Sequence, residues 1–347
     1  MAALSRPIGG FFERHPENAS EADAGAGPCV LDVWAGDRPH AAFVNARSAF
    51  GALVAALEPG TIWLPAWLCE DMLLPGRADR VRFYPVGPGF LPDLSGVEVD
   101  AQAGDLLLVQ AAFGLPVNEA TRAALARRPD LHVVEDRAQA LDAGAADGAG
   151  WILYSPRKLF GVADGGLLVA RDPDVALPRP DAVPDPEFLW RAANLRAADP
   201  SGSDNALWHG ANQTKETAMG VNREAMTADS LALLSATPLS SLTKPRLRNW
   251  MALDGRLHCW SALPANPVAP PLGYVLDLEP QTRDRLRTRL NAARVFAAIH
   301  WPELASPADQ FPREHGWTRR LLTLPCDHRY SVVEMARIAD LVVEALG

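Results

Sequence analysis

The chain has 347 residues and a mass of 37.4 kDa, a size more typical of two domains than of one or three. Hydrophobic residues make up 48% of it and charged residues 22%, which fits a globular protein with a sizeable core and excludes disorder, collagen and coiled coil as descriptions of the whole chain. Its 42 acidic residues outnumber 33 Lys and Arg residues, so the net charge is −9 and neither nucleic acid nor an anionic membrane is an expected partner.

The first half of the chain predicts strands alternating with helices. Apolar residues recur at helical spacing over 43–57, with Asn45 as a potential cap, and a second helix is expected over 117–127. The strand candidates are 61–65, 81–86, 105–113, 131–136, 151–155 and 166–170. This alternation predicts an α/β fold whose mostly parallel sheet is covered on both faces.

The pattern changes near residue 180, after which the chain is expected to be largely helical over 187–260. A polar stretch at 201–216 interrupts this region and has no clear period, so it is interpreted as a mobile loop over the site or as a surface insertion. The tail predicts a smaller α/β lobe that contains a helix from Gln281 to Ile299. The last helix opens on a capping box formed by Ser331 and Glu334.

We therefore expect a large domain over residues 1–245 and a small C-terminal domain over 246–347. Whether the N-terminal segment joins the smaller lobe is left open. The first thirty residues contain no apolar signal core, and no apolar stretch is long enough for a membrane helix. The protein is therefore expected to be cytoplasmic.

Cysteine and lysine usage narrows the kinds of chemistry to be expected. The 4 cysteines are widely spaced and form no CxxC pair, which predicts free thiols rather than a zinc site or a disulfide framework. Lysine occurs only at Lys158, Lys215 and Lys244, in a chain whose other basic residues are Arg. Because an ammonium group can deprotonate and attack a carbonyl whereas a guanidinium cannot, each lysine is a candidate nucleophile.

Three local patterns in the first half carry potential chemistry. Asp136 closes an apolar strand at the sheet edge where open α/β folds bind ligands, although taken alone this position favours a capping role. Lys158 lies in a Gly-rich turn, where burial and Arg157 would lower the pKa of its amine; the alternative is an exposed loop lysine. Arg47 and Ser48 stand at a helix start, where free N–H groups can bind phosphate. Together, a carboxylate, a reactive lysine and a phosphate site are what pyridoxal phosphate (PLP) requires.

The motifs around these residues resemble those of a known family. The segments VVEDRAQAL (133–141) and YSPRKLFGVADGG (154–166) are similar to the aspartate and lysine motifs of the DegT/DnrJ/EryC1/StrS-type aminotransferases, which have PLP fold type I. The resemblance spans roughly residues 43–345 and is supported by NARSAFGAL (45–53), LPAWLCED (64–71) and LLTLPCDHRYSVVEM (321–335). It implies a large, mostly parallel sheet domain followed by a smaller C-terminal α/β lobe.

The resemblance also implies roles for the matching residues. Lys158 would bond the aldehyde of the cofactor and shuttle a proton, and Asp136 would pair with the pyridinium nitrogen. Gln139 would lie near the phenolic oxygen of the cofactor. For Trp67, stacking on the pyridine ring and packing in the apolar core both stay open.

The implied phosphate contacts depart from the usual family pattern. Arg47, in place of the usual Thr, and Ser48 fall on the phosphate-binding helix start. The usual serine lies five residues before the lysine, where this chain has Leu153, so Ser155 is the candidate contact. The counterpart of the asparagine that the partner subunit supplies in the family lies in residues 220–222.

We therefore predict a PLP-dependent aminotransferase that moves an amino group from an amino-acid donor to a keto acceptor, with a sugar or sugar nucleotide as one candidate acceptor. The resemblance implies a homodimer with a shared active site, and no metal is expected. Two alternatives stay open. One is a dehydratase of the same family, although such enzymes carry a histidine in place of the lysine and Lys158 argues against it. The other is a non-catalytic protein of this fold with a regulatory or assembly role.

Overall fold

The computed structural model describes residues 6–16, 27–142 and 144–347 of the chain. Its strands are β1 (Ile8–Gly9), β2 (His40–Phe43), β3 (Ile62–Pro65), β4 (Val81–Tyr84), β5 (Leu106–Gln110), β6 (His132–Asp136), β7 (Trp151–Tyr154), β8 (Gly166–Ala170), β9 (Tyr274–Asp277), β10 (Val295–Phe296) and β11 (Leu321–Leu324). Its helices are α1 (Val30–Trp34), α2 (Ala46–Leu57), α3 (Ser95–Asp100), α4 (Glu119–Ala126), α5 (Pro186–Ala198), α6 (Asn205–Ala218), α7 (Ala228–Ala236), α8 (Leu239–Leu257), α9 (Pro280–Ala292), α10 (Pro312–Arg320) and α11 (Val332–Leu346).

Seven strands form the main sheet, in the order β2-β8-β7-β6-β5-β3-β4. The strands from β7 to β4 are parallel to one another, whereas β8 runs antiparallel to both of its neighbours. In β5, Leu107 and Val109 pack in one apolar cluster, and Leu106 and Leu108 pack in another. Because both faces of the sheet are covered, its central strands are continuous apolar runs. The predicted α/β fold with a large, mostly parallel sheet is confirmed.

The C-terminal part of the chain contains two short strand pairings. Strands β9 and β11 are antiparallel, and β1 is parallel to β10, so the N-terminal strand lies with the C-terminal part. Helix α8 includes Pro245 and runs through the boundary predicted at that residue. The division into two domains stays a prediction.

Both helix caps expected from the sequence are present. At the start of α2, Asn45 Oδ1 accepts a hydrogen bond from the backbone N–H of Ser48 (2.8 Å). At the start of α11, the carboxylate of Glu334 accepts one from the backbone N–H of Ser331 (2.8 Å). These bonds satisfy N–H groups that the first turn of a helix leaves without an intrahelical partner.

The prediction of an irregular loop over 201–216 is wrong, because most of this stretch is helix α6. Asp199 organises the turn before the helix by accepting hydrogen bonds from the backbone N–H groups of Ser203 (2.9 Å) and Asp204 (2.8 Å). It also accepts one from the indole N–H of Trp208 (3.1 Å), whose buried ring contacts Phe11 edge to face. One anchored face holds an otherwise polar segment as a helix, which composition could not reveal.

The helix predicted from Gln281 to Ile299 is also shorter in the structure, where α9 ends at Ala292. Arg294 has a left-handed φ of 62°, which is incompatible with a continuing right-handed helix. The next two residues form β10 by pairing with β1, a partner from the other end of the chain that local periodicity cannot predict. None of the helices within the described ranges is long and apolar enough to cross a membrane.

Candidate active site

A cavity of about 480 Å³ lies between the main sheet and the C-terminal part of the chain. The sheet contributes Gln139, Arg157 and Lys158, which follow strands β6 and β7. The facing walls come from N-terminal residues 9–12 and from residues of segments 296–301 and 323–329. The cavity therefore lies at the carboxyl edge of the parallel strands, where open α/β sheets bind ligands.

Lys158 ends a short 3-10 turn that follows β7, and its backbone N–H donates a hydrogen bond to the carbonyl of Ser155 (3.1 Å). The side chain is exposed to the interior of the cavity, while the surrounding protein still desolvates its amine. This desolvation, followed by the positive charge of Arg157, lowers the pKa of Lys158, against the opposite effect of Asp136. A larger share of the amine is therefore unprotonated than in a lysine in water.

Asp136 ends strand β6, and the strand next to it, β7, leads to the turn that carries Lys158. Its carboxylate is buried and accepts a hydrogen bond from the backbone N–H of Ala138 (2.8 Å), the local bond expected of a capping role. Burial raises the pKa of Asp136, and the Ala138 N–H and the charge of Lys158 act in the opposite direction. The structure thus places Asp136 close enough to Lys158 for their charges to interact. Asp136 also makes the local hydrogen bond with Ala138.

Gln139 lines the cavity, as expected of a residue that contacts a ligand there. Its side-chain Oε1 accepts a hydrogen bond from the backbone N–H of Phe113 (2.7 Å). This bond fixes the amide between the ends of β6 and β5, so the orientation of Gln139 does not depend on a ligand.

His300 and Thr323 also line the cavity, and sequence reasoning missed both. Nδ1 of His300 is 3.0 Å from the hydroxyl of Thr323. Burial, and secondarily the charge of Lys158, lowers the pKa of His300 to about 4, so the imidazole is neutral at pH 7. A lone histidine before a tryptophan has no spacing that signals a site, and only the fold brings it near Lys158.

The cavity carries more positive than negative charge in its walls. Arg157, Lys158, Arg246 and Arg329 face it, against Glu216 and Asp327. Three of its lining residues hold a buried polar atom without a hydrogen-bond partner among the described residues, namely Arg157 Nε, Arg246 Nε and Asn212 Oδ1. An anionic ligand would offset the charge and accept hydrogen bonds from the two arginine N–H groups, whereas Asn212 Oδ1 needs a donor. PLP is an anionic ligand, so the charge and the two arginines fit the cofactor that the resemblance implies.

Arg47 and Ser48 lie outside the lining of this cavity. The guanidinium of Arg47 donates to the carbonyl of Met219 (2.6 Å) and forms an ion pair with Asp71 (3.1 Å). The hydroxyl of Ser48 accepts a hydrogen bond from the backbone N–H of Asn222 (3.1 Å). Both side chains at the start of α2 are thus engaged with the chain itself, and their role in phosphate binding stays a prediction.

Asn222 lies in the segment that the resemblance compares with an asparagine of the partner subunit. In this structure it contacts Ser48 of its own chain, so a role in a partner's site stays a prediction.

The Gly-rich turn after Lys158 explains how β8 comes close to the start of α2. A Cβ atom on Gly166 would lie 2.2 Å from the backbone of Asn45, so glycine permits the close approach of β8 to the start of α2.

Trp67 and Ser155 are buried beside the cavity rather than in its lining. The Trp67 ring packs against Trp301 (centroids 5.5 Å apart) and Trp317 (5.4 Å), of which Trp301 lines the cavity. Core packing, one of the two interpretations of Trp67, is therefore observed, and stacking on a ring is not tested. Ser155 shapes the turn through its carbonyl, and its contact with phosphate stays a prediction.

Comparison with known proteins adds an independent line of support. No protein-family model matches the chain. The chain is 27% identical over 261 residues to the dTDP-3-amino-3,4,6-trideoxy-alpha-D-glucose transaminase of Streptomyces venezuelae, a match that covers 69% of this chain and 62% of that protein. It therefore spans less than two thirds of the length of this relative.

Solved structures agree with this similarity. A DegT DnrJ EryC1 StrS aminotransferase from Brucella abortus superposes with a TM-score of 0.63 and 17% identity, over 90% of this chain and 87% of that one. A candidate sugar aminotransferase from Streptococcus pneumoniae, solved in its PLP form, gives a TM-score of 0.67 at 13% identity, over 98% and 100%. The resemblance predicted from the motifs is confirmed: the chain has the fold of the DegT/DnrJ/EryC1/StrS-type aminotransferases and is similar in sequence to a sugar transaminase.

Proposed function

We propose that the chain is a PLP-dependent aminotransferase that transfers an amino group from an amino-acid donor to a keto sugar. The observation that carries this proposal is the amine of Lys158, which lies in a polar cavity and has a lowered pKa. The buried carboxylate of Asp136 is close enough to interact with this amine. The similarity to a sugar transaminase supports the acceptor class. The fold neighbours, one of them in its PLP form, support the cofactor.

When bound, PLP supplies an aldehyde that bonds amines and a ring that withdraws electrons from the bonded carbon. Lys158 would hold the cofactor through its amine, and its lowered pKa increases the fraction of that amine in the unprotonated form. When this nitrogen is free, it would be the base that takes a proton from the donor carbon and the acid that delivers it to another carbon. The positive charge of Arg157, next to Lys158, lowers the affinity of the amine for its proton.

Asp136 would favour a proton on the ring nitrogen of a bound cofactor through its negative charge. For this role the carboxylate must be ionised, and the Ala138 N–H and the charge of Lys158 both favour that form against burial. The Oε1 of Gln139 is engaged by Phe113, so its amide N–H₂ would be the group that donates to a ligand in the cavity. His300, which is neutral, can donate or accept one hydrogen bond without adding charge to the site.

Borohydride reduction of the purified protein, followed by mass spectrometry of its peptides, tests the proposal. We expect PLP to be fixed on Lys158 and the label to be absent from Lys158→Ala. Lys244, which is exposed, provides the matched control, because Lys244→Ala should retain the label. Lys215 is the sharper rival, since burial lowers its pKa to about 8, yet its amine donates to the carbonyl of Ala163 (3.0 Å) and does not line the cavity. A label on Lys215 would overturn the assignment.

A second measurement separates the enzyme from a non-catalytic PLP-binding protein. Mixing the loaded protein with a panel of amino acids should change the absorbance of the cofactor as it takes up the amino group. A labelled Lys158 without any such change would favour the regulatory or assembly alternative. The homodimer with a shared site is proposed on the resemblance and is tested by sedimentation of the loaded protein.

A further inference from the structure

A second cavity, of about 550 Å³, has Gly161 from the turn after Lys158 in its wall. Its other walls are the N-terminal residues 12–16, the first turns of helix α8 and residues 328–329, and we call it the basic pocket. The backbone N–H of His15 donates to the carbonyl of Gly161 (2.8 Å), and a Cβ atom on Gly161 would lie 2.3 Å from the carbonyl of Glu13. The N-terminal wall of the pocket thus packs directly on the turn that carries Lys158.

The basic pocket is distinct from the cavity of Lys158. Phe12 and Arg329 line both spaces and stand between them. The guanidinium of Arg329 lies over the ring of Phe12 (4.0 Å to its centroid), and this ring stacks on that of His328 (centroids 5.6 Å apart). None of the residues assigned above to the cofactor lines the basic pocket.

The lining of this pocket is strongly positive, in a chain whose net charge is −9. Its charged residues are Arg6, Arg14, Lys244, Arg248, Arg329 and a single acid, Glu13. Arg6 and Arg14 each pair with an acid outside the lining (3.1 Å), and Glu13 pairs with Arg329 (2.9 Å). Lys244 and Arg248 have no carboxylate partner within the described ranges.

The donors without a partner lie on two walls of the pocket. Ser240, Lys244 and Arg248 follow one another at intervals of four residues, which places them on one face of α8. Two like charges at this spacing destabilise a helix, and a bound anion would remove that cost. On the other wall, Nδ1 of His328 is buried without a hydrogen-bond partner among the described residues. Burial lowers the pKa of His328 to about 3, so its neutral ring can donate one N–H.

These groups indicate the class of ligand. An ammonium, a guanidinium, a hydroxyl and an imidazole N–H can all donate to an anion. Because the donors lie on two walls, a tetrahedral phosphate, whose oxygens point in several directions, suits them better than a planar carboxylate does. Lys and Arg are also the usual protein partners of phosphate. The volume of the pocket is that of a small-molecule site and leaves room for the rest of an organic phosphate.

We propose that the basic pocket binds the phosphate group of a small molecule, through Lys244 and Arg248 on α8 and His328 on the opposite wall. Such a ligand would contact the segment that packs on the turn of Lys158, and it would not enter the active cavity. The proposal does not rest on the aminotransferase activity.

Isothermal titration of the whole protein, incubated with PLP, with phenyl phosphate and with benzoate tests the proposal. Phenyl phosphate should bind more tightly than benzoate, which carries the same ring on a carboxylate, and inorganic phosphate should compete with it. Lys244→Gln and Arg248→Gln should each raise the Kd of phenyl phosphate about five- to tenfold, because water screens part of the charge of these exposed side chains. Arg256→Gln is the matched control, since Arg256 is exposed on the same helix and does not line the pocket.

Three results would overturn the proposal. They are no binding of phenyl phosphate at millimolar concentration, equal Kd values in the Arg248 and Arg256 variants, and benzoate binding as tightly as phenyl phosphate. Arg157→Gln separates the two cavities, because Arg157 lines only the cavity of Lys158 and its variant should leave the Kd unchanged. Binding that Arg157→Gln weakens and Arg248→Gln does not would place the probe in the active cavity and likewise refute the proposal. Borohydride labelling reports on Lys158 alone, so the two proposals can fail separately.

Discussion

One buried carboxylate ties the turn of Lys158 to helix α7, and its removal should destabilise the whole protein. Asp164 accepts hydrogen bonds from the backbone N–H and the hydroxyl of Thr227 (both 2.7 Å) and from the hydroxyl of Ser230. Hydrogen bonds to a charged group contribute about 1.5–3 kcal/mol each. Burial raises the pKa of Asp164 despite these bonds, so desolvation outweighs them for the ionised form. We therefore expect Asp164→Ala to cost about 1–3 kcal/mol of unfolding free energy, the cost of leaving a buried donor without an acceptor.

The cost in unfolding free energy also depends on the hydrogen bonds that Thr227 and Ser230 can form once the Asp164 carboxylate is removed. The hydroxyls of Thr227 and Ser230 are 3.0 Å apart and can bond to each other, so the N–H of Thr227 is the group left without a partner. Asp164→Asn keeps one acceptor oxygen and should cost about 1–2 kcal/mol. The exposed Asp174 provides a control, since Asp174→Ala should be neutral within about 0.5 kcal/mol.

Urea unfolding at pH 7, followed by far-UV circular dichroism, measures these differences as shifts of the midpoint at constant slope. The yield of borohydride labelling at Lys158 should fall in parallel, because the turn loses its anchor. A loss below about 1 kcal/mol for Asp164→Ala would refute the reasoning, since it would mean that the N–H of Thr227 is not left without an acceptor.

Three further predictions concern single charges. Asp136→Asn should leave PLP attached but remove most turnover, because a neutral amide cannot hold the ring proton; a near-normal single-turnover rate with an amino donor would contradict this. Arg47→Ala should weaken PLP binding about ten- to hundredfold in a fluorescence titration. Asp71→Asn is the control: it removes the carboxylate 3.1 Å from Arg47 and should not weaken PLP binding. An unchanged Kd for PLP in Arg47→Ala would exclude Arg47 from the site. Asp327→Ala should cost about 2–4 kcal/mol at pH 7, because the buried Arg329 loses two bonds to the Asp327 carboxylate (2.8 and 2.9 Å). Arg329 then keeps the carboxylate of Glu13 and the carbonyls of Gly10 and Phe11 as partners. Arg329 holds the pKa of Asp327 below its ordinary value against the effect of burial, so this stabilisation is complete above about pH 4 and is lost as the pH falls further; an effect that persists unchanged at pH 3 in urea unfolding would rule it out.

The main sheet and the two central residues of the site could be predicted because their signals are local. Strand β5 is apolar throughout, which is enough to predict a strand buried on both faces. Asp136 ends β6 and Lys158 follows β7, and adjacent parallel strands end at the same edge, so their proximity follows from topology.

The rest of the site could not be predicted because it is assembled from distant parts of the chain. Arg329 is held by Glu13 (2.9 Å), and His300 meets the hydroxyl of Thr323, contacts that no periodicity records. The error over helix α6 has the same origin, since the bond from Trp208 to Asp199 stabilises a segment whose composition is that of a loop. Tertiary contacts overrode local propensity in each case.

The pairing of β1 with β10 has a consequence for how the protein is made. The backbone N–H of Gly9 donates to the phenol of Tyr330 (2.7 Å), 321 residues further along the chain. During synthesis, residues 8 and 9 leave the ribosome before the residues of β10 and Tyr330, so these contacts form only after residue 330 has emerged. The sheet, whose strands lie within residues 40–170, can collapse long before that. Completion of this wall of the cavity is therefore a late, high-contact-order event that follows folding of the sheet.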